Sequence, residues 1–156
     1  MEPLKLIAFD AEDLQVVSAH VQDAVVQTSE MRFLPRSRRF AAGLNRFDWA
    51  AAHTNGSSTL ARRQSALRFE RVLRARTTGI DLAAADQVLV LLAVSFLANG
   101  ADDPAGTVTL TFAGGAAVQL EVECVEAELR DLGPIWQARA RPDHPDDETG
   151  ASGCEF

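Results

Sequence analysis

Hydrophobic spacing divides the chain into one helix followed by a series of strands. Leu14, Val17 and Val21 recur at helical intervals while Glu12, Gln15 and Gln22 lie off that face, so a helix is predicted over residues 11–23. Asp10 is a candidate N-cap, and Asp13 three residues on can answer it as the acid of a capping box does. Phe9 and Leu14 stand where a hydrophobic staple needs them. From residue 24 the period shifts toward two. "VVQTSEMRFLP" reads as extended chain as far as Pro35, with a tight turn through residues 34–37. In "RRFAAGLNRFDW", Phe40, Ala42 and Leu44 share one face and Phe47 and Trp49 the other; a bulge near Asn45 and Arg46 would turn all five inward. Residues 53–59 read as a polar loop.

The later strands are plainer. Val88, Val90, Leu92, Val94 and Phe96 alternate with Leu89, Leu91 and Ala93, which predicts a central strand apolar on both faces. "GTVTLTFA" turns Val108, Leu110 and Phe112 inward, Gly114-Gly115 is a two-residue hairpin signal, and "AVQLEVEC" returns with Val118, Leu120, Val122 and Cys124 inward. A short helix is expected at about 125–132, stopped by Gly133-Pro134, with Ile135 and Trp136 packing back. The stretch 62–76, "RRQSALRFERVLRAR", fits two readings. As a strand it points Leu67 and Phe69 inward with a slip near Arg71; as a helix it stripes Ala66, Phe69, Val72 and Leu73 and ends at Gly79. The turn signal at 77–81 favours the strand.

These elements predict a single α+β domain over residues 1–141: an N-terminal helix, about six antiparallel strands in meander order forming an open barrel or two layers, and a short C-terminal helix. The element order is that of pleckstrin-homology-like domains, an analogy of fold alone. Residues 142–156, "PDHPDDETGASGCEF", hold too little apolar content to fold, which predicts a disordered acidic tail. "LKLIAFDAEDLQVVSAHVQDAVV", "RRFAAGLNRFDW", "SALRFERV" and "GTVTLTFAGGAAVQLEVECVEAELRDLGPIW" together resemble an uncharacterised bacterial family known as domain of unknown function 2948. The resemblance runs nearly to Pro142 and implies a bacterial domain, with no activity, cofactor or site residue to carry over.

Composition narrows the class. The 156 residues are 47 % hydrophobic and 24 % charged, ordinary for a globular chain. The start carries Glu2 and a short apolar run rather than a basic secretory signal, and no apolar run reaches a membrane span. With only Cys124 and Cys154, a reducing, cytoplasmic setting is expected. His20, His53, His144 and the two cysteines lack metal-ligand spacing. Ser18, Ser65 and Ser95 lack a nucleophile elbow, and Gly114-Gly115 opens no helix, so neither a hydrolase nor a nucleotide-binding loop is indicated. Asp48 and His53 leave a remote acid–base pair. No cofactor is expected.

Charge is the unusual feature. Residues 32–76 hold eleven arginines against Asp48 and Glu70, a balance of +9, while the remainder carries −16 and the whole chain −7. On a strand, Arg62, Arg68, Arg74 and Arg76 share a parity and could line a ridge, with Arg36 and Arg38 in the preceding turn; guanidinium forks grip oxyanions in pairs. Such a face suits a polyanion such as nucleic acid, and the tail acids Asp143, Asp146, Asp147 and Glu148 could fold back over it. Against this, the acids elsewhere are numerous enough to neutralise the arginines within the fold or at a subunit interface, and Phe33, Phe40, Phe47, Trp49 and Phe69 read as core rather than stacking platforms. The favoured expectation is a non-catalytic interaction or adaptor module, with a protein partner or self-association. Polyanion binding and a small-molecule enzyme with an unrecognised site are the alternatives.

Overall fold

Asp10 ends its extended segment at φ −151°, and its carboxylate accepts the Asp13 N–H at 2.8 Å. Asp13 in turn accepts the Phe9 N–H at 3.0 Å, closing a reciprocal cap that starts helix α1 (Ala11–Val21). Leu14, Val17 and Val21 are buried as the spacing requires. Phe9, however, remains 65 % exposed, so the two-way cap rather than a staple secures this end. The computed structural model describes residues 3–47, 62–81 and 87–134. Within them α1 is accompanied by ten strands: β1 (Lys5–Ala8), β2 (Val25–Gln27), β3 (Met31–Leu34), β4 (Arg39–Phe47), β5 (Arg62–Phe69), β6 (Val72–Thr78), β7 (Val88–Ala98), β8 (Gly106–Phe112), β9 (Ala117–Val122) and β10 (Ala127–Pro134).

The strands form one antiparallel sheet in the order β1-β10-β5-β4-β2-β7-β8-β9-β6, with β3 also on β4, and the path is open. This corrects the expected six-strand meander and its pleckstrin-homology-like analogy: consecutive pairing is confined to β3-β4-β5 and β7-β8-β9, and β10 crosses back to lie between β1 and β5. Four strands are extra: two arise where a run broke in two, and β1 and β10 were not expected as strands. "VVQTSEMRFLP" is divided by a 3₁₀ turn at Thr28–Glu30 into β2 and β3, and the turn before β4 closes one residue later than expected, with the Arg38 N–H donating to the Pro35 carbonyl.

The expected C-terminal helix is also corrected: it is strand β10. Glu, Ala, Leu and Arg favour helix, but Val125, Ala127 and Leu129 are buried at period two, and β10 is held on both sides by β1 and β5. Tertiary pairing overrides the propensity. The region 62–76 is strand, broken as β5 and β6 at Glu70 and Arg71, where Arg71 takes φ 60°. Across that break Glu70 N–H donates to the Glu126 carbonyl and Glu123 N–H to the Arg71 carbonyl, so β5–β6 and β10–β9 bend together as one ribbon. Phe69, Val72, Val122, Val125 and Ala127 line its inner side.

Two parity expectations also change. No bulge interrupts β4: its ladder to β5 runs in step from Phe40↔Phe69 to Phe47↔Arg62, so Arg46 faces the core and Phe47 faces out. In β7 a register shift between Leu91 and Ala93 moves the inward set from Leu89 and Leu91 to Val94. β7 lies between β2 and β8 as expected, yet Val88, Leu92 and Leu97 are exposed, so it is not buried on both faces. Beyond β2, helix α1 covers its edge: Ser18 Oγ accepts the Val94 N–H at 2.9 Å, which shields a strand edge otherwise left open. The β8–β9 hairpin forms as expected, but it turns through a 3₁₀ turn over Ala113–Gly115 rather than two residues, with Gly114 and Gly115 at φ 83° and 85°. Cys124 follows the end of β9 and is half-buried rather than core. Trp49, the loop at 53–59, Ile135, Trp136 and the tail lie outside the described residues.

Candidate interaction surface

The six arginines singled out above are divided among β5 (Arg62, Arg68), β6 (Arg74, Arg76) and the turn before β4 (Arg36, Arg38). Arg62 and Arg68 sit on the outer side of β5. Arg62 is exposed, its guanidinium 4.4 Å from the centre of the Phe47 ring, and Arg68 lies 2.8 Å from Glu128 and 2.9 Å from Glu70. The Arg68 Nε geometry toward Glu70 makes no hydrogen bond, so that contact is electrostatic. Arg74 and Arg76 on β6 share the single carboxylate of Glu121, at 3.8 and 3.4 Å. Arg38, at φ 54° in the turn before β4, reaches Glu123 at 3.3 Å, while Arg36 is exposed on the same turn.

These pairs belong to a longer ladder. Lys5 and Arg68 meet Glu128, Arg68 and Arg39 meet Glu70, and Arg71 meets Glu126 at 3.1 Å and Glu123 at 3.7 Å. The Glu126 hydrogen bond, followed by the charges around it, raises the Arg71 guanidinium further above its ordinary value. Antiparallel register explains the matching. Outward-facing acids of β9 and β10 fall opposite outward-facing arginines of β6 and β5, as in Arg74↔Glu121 and Arg68↔Glu128.

A second cluster was not foreseen. Arg46 and Asp131 have side chains only 3 % and 1 % exposed. Arg46 Nε donates to Asp131 Oδ1 at 3.0 Å and Nη2 to Oδ2 at 2.9 Å. Ser65 Oγ donates to Oδ1 at 2.6 Å and the Leu4 N–H to Oδ2 at 2.8 Å. Burial by itself pushes the Asp131 carboxyl up; the hydrogen bonds from Arg46, Ser65 and Leu4 outweigh it and hold the group below the usual carboxylate range. Every carboxylate oxygen is occupied, so the cluster is a brace joining β1, β4, β5 and β10 rather than a reacting group. A signal for it exists in the sequence: Asp131 continues the inward parity of Val125, Ala127 and Leu129, and Arg46 that of Phe40, Ala42 and Leu44.

The outer face of β4 and β5 also bears a trough of about 300 Å³, bordered by Gln27, Glu30, Gly43, Asn45, Gln64 and Leu132. A second, of about 240 Å³, lies at the bend among Ser37, Arg38, Glu70, Arg71, Glu123 and Glu126. Among the described residues no group of three His, Cys, Asp or Glu side chains is placed to hold a metal, and no helix is long and apolar enough to cross a membrane.

No curated protein and no solved structure matches the chain. The family profile described as "Protein of unknown function (DUF2948)" matches residues 4–144, nearly the whole chain, and the protein therefore belongs to that family.

Proposed function

We propose that the protein is a non-catalytic interaction module whose β6 edge docks an extended acidic segment of a partner protein. The observation that carries this reading is the imbalance on β6. The strand ends the sheet path, no strand covers its outer edge among the described residues, and Arg74 and Arg76, 66 % and 57 % exposed, share one carboxylate. An added strand supplies backbone partners to the edge, and its outward side chains stand beside those of β6. Acidic residues there would give each arginine a counter-charge of its own. Two copies joined through β6 would instead set arginine against arginine, so a foreign acidic strand fits better than self-association.

The test is a low-salt titration of a fluorescein-labelled peptide of alternating glutamate and valine, beside a short thymidine oligonucleotide. Peptide binding that weakens with salt is expected, with Arg74→Gln and Arg76→Gln each costing about two- to fivefold, the range of exposed ion pairs. Tighter salt-dependent binding of the oligonucleotide would replace this reading with a polyanion face. Absence of binding by both probes would sink it.

A further inference from the structure

The trough beside the 3₁₀ turn at Thr28–Glu30 is distinct from the β6 edge in place and in chemistry. Its side chains come from separate parts of the chain that the sheet brings together. Asn45 on β4 lies directly opposite Gln64 on β5 and also opposite Val25 on β2, two residues before Gln27. Gly43 stands opposite Ala66, so small residues keep the floor low. The Glu30 carboxylate lies over that floor: a Cβ added at Gly43 would sit 2.9 Å from Glu30 Oε1. A larger residue at Gly43 would make the carboxylate shift from this position. Leu132, 61 % exposed, supplies an apolar wall.

The bonding state of these groups is unusual for this protein. Glu70, Glu121, Glu123, Glu126 and Glu128, the other glutamates flanking this sheet, each have an arginine or lysine partner. Glu30 has no ion pair among the described residues, and the carboxamides of Gln27, Asn45 and Gln64 make no hydrogen bond there. One carboxylate and three carboxamides thus border a single trough with no protein partner among the described residues, and Gln27, Glu30 and Gln64 are exposed to an incoming group. Glu30 is the only charged residue among them, so the complementary guest is a compact cation. An ammonium group offers three donors and no acceptor, which suits a carboxylate flanked by carboxamide oxygens. The volume lies at the small end for ligand sites and suits one side chain or a small amine rather than a large cofactor.

We propose that this trough binds a primary ammonium group carried on an aliphatic stem, with Glu30 as its counter-charge and Leu132 against the stem. The ammonium belongs to either a free amine or a lysine side chain, and the same experiment separates the two. Amide resonances of Gly43, Asn45 and Gln64 are followed by NMR while the full chain is titrated with n-pentylamine, with Nα-acetyl-lysine methylamide, and with 1-pentanol as the neutral control. Saturable shifts at these three residues with both amines and none with the alcohol are the expected result. Glu30→Gln should weaken amine binding about two- to fivefold, the range of exposed ion pairs. Gly43→Ala should weaken it as well, by displacing the carboxylate. Tighter binding of the lysine derivative assigns the site to a protein partner's lysine, and tighter binding of pentylamine to a free amine. If pentanol shifts the same amides as far as the amines do, if Glu30→Gln leaves amine affinity intact, or if none of the three resonances moves, the proposal is overturned. None of these readouts involves β6, so its failure is separable from that of the acidic-strand reading.

Discussion

At the scale of single residues, Arg46 and Asp131 bear most on stability, because both charges are out of water and each depends on the other. Removing one partner leaves an uncompensated buried charge, which costs about 3–5 kcal/mol. Arg46→Leu and Asp131→Asn should each lower unfolding free energy by that order in urea. The double variant Arg46→Leu/Asp131→Leu should lose less than either single change, since no lone charge remains. The Asp131 carboxyl is held below its ordinary value in the fold, so its stabilisation is fully present above the unfolded value of about 3.9 and disappears as pH falls through the lower folded value. The difference between wild type and Asp131→Asn should therefore stay constant from neutral pH to about 4 and narrow below it. A gap that stays constant into strong acid would show that Asp131 is not held ionised by Arg46. The two residues were legible in part. Each continues an inward apolar parity, but a buried charge is recognisable only once its partner 85 residues away is known to face it.

At the scale of elements, the helix was the most legible part because everything that defines it is local. Asp10, Asp13 and the spacing of Leu14, Val17 and Val21 lie within twelve residues, and the structure shows that cap and that buried face. Asp10→Ala should cost about 1 kcal/mol in thermal or urea unfolding, the usual worth of an N-cap. A change within error would mean that packing of α1 on β7 alone sets this helix. The β8–β9 hairpin was legible for the same reason, being two alternating runs joined by a pair of glycines at positive φ. β10 was not legible as a strand. Its residues favour helix in isolation, and the ladders that override them come from β1 and β5, far away in the chain. In β4 and β7 the strands themselves were foreseen but their faces were not. A bulge was expected in β4 where none exists, and one exists in β7 where none was expected. A bulge depends on what the partner strand offers opposite it, which the strand's own sequence does not specify.

At the scale of the whole molecule, sheet order ranks the strands by how readily they open. β4, β5, β7, β8, β9 and β10 each have neighbours on both sides, whereas β1, β3 and β6 border open edges. Amide hydrogen exchange should therefore be fastest in β1, β3 and β6 among the strands and slowest in β5 and β8. Exchange in β6 as slow as in β8 would mean that its edge is already covered, which would remove the basis of the acidic-strand reading. β1 has a further constraint, since its tie to β10 closes across 127 residues of chain through Leu4 and Asp131.

What the sequence determined by itself was everything carried by local periodicity and local bonding: the capped helix, the β8–β9 hairpin, the strand character of 62–76, the family, and the concentration of arginines. What only the tertiary structure decided was which strands are neighbours, and with them the fate of each charge. The arginines of β5 and β6 meet acids of β9 and β10 because the two halves of the ribbon bend together, and Glu30 borders a trough with no ion pair among the described residues because β2, β4 and β5 converge there. Charge on a chain is a property of composition. Its neutralisation is a matter of distances of a few ångströms between residues far apart in sequence, and sheet order sets those distances.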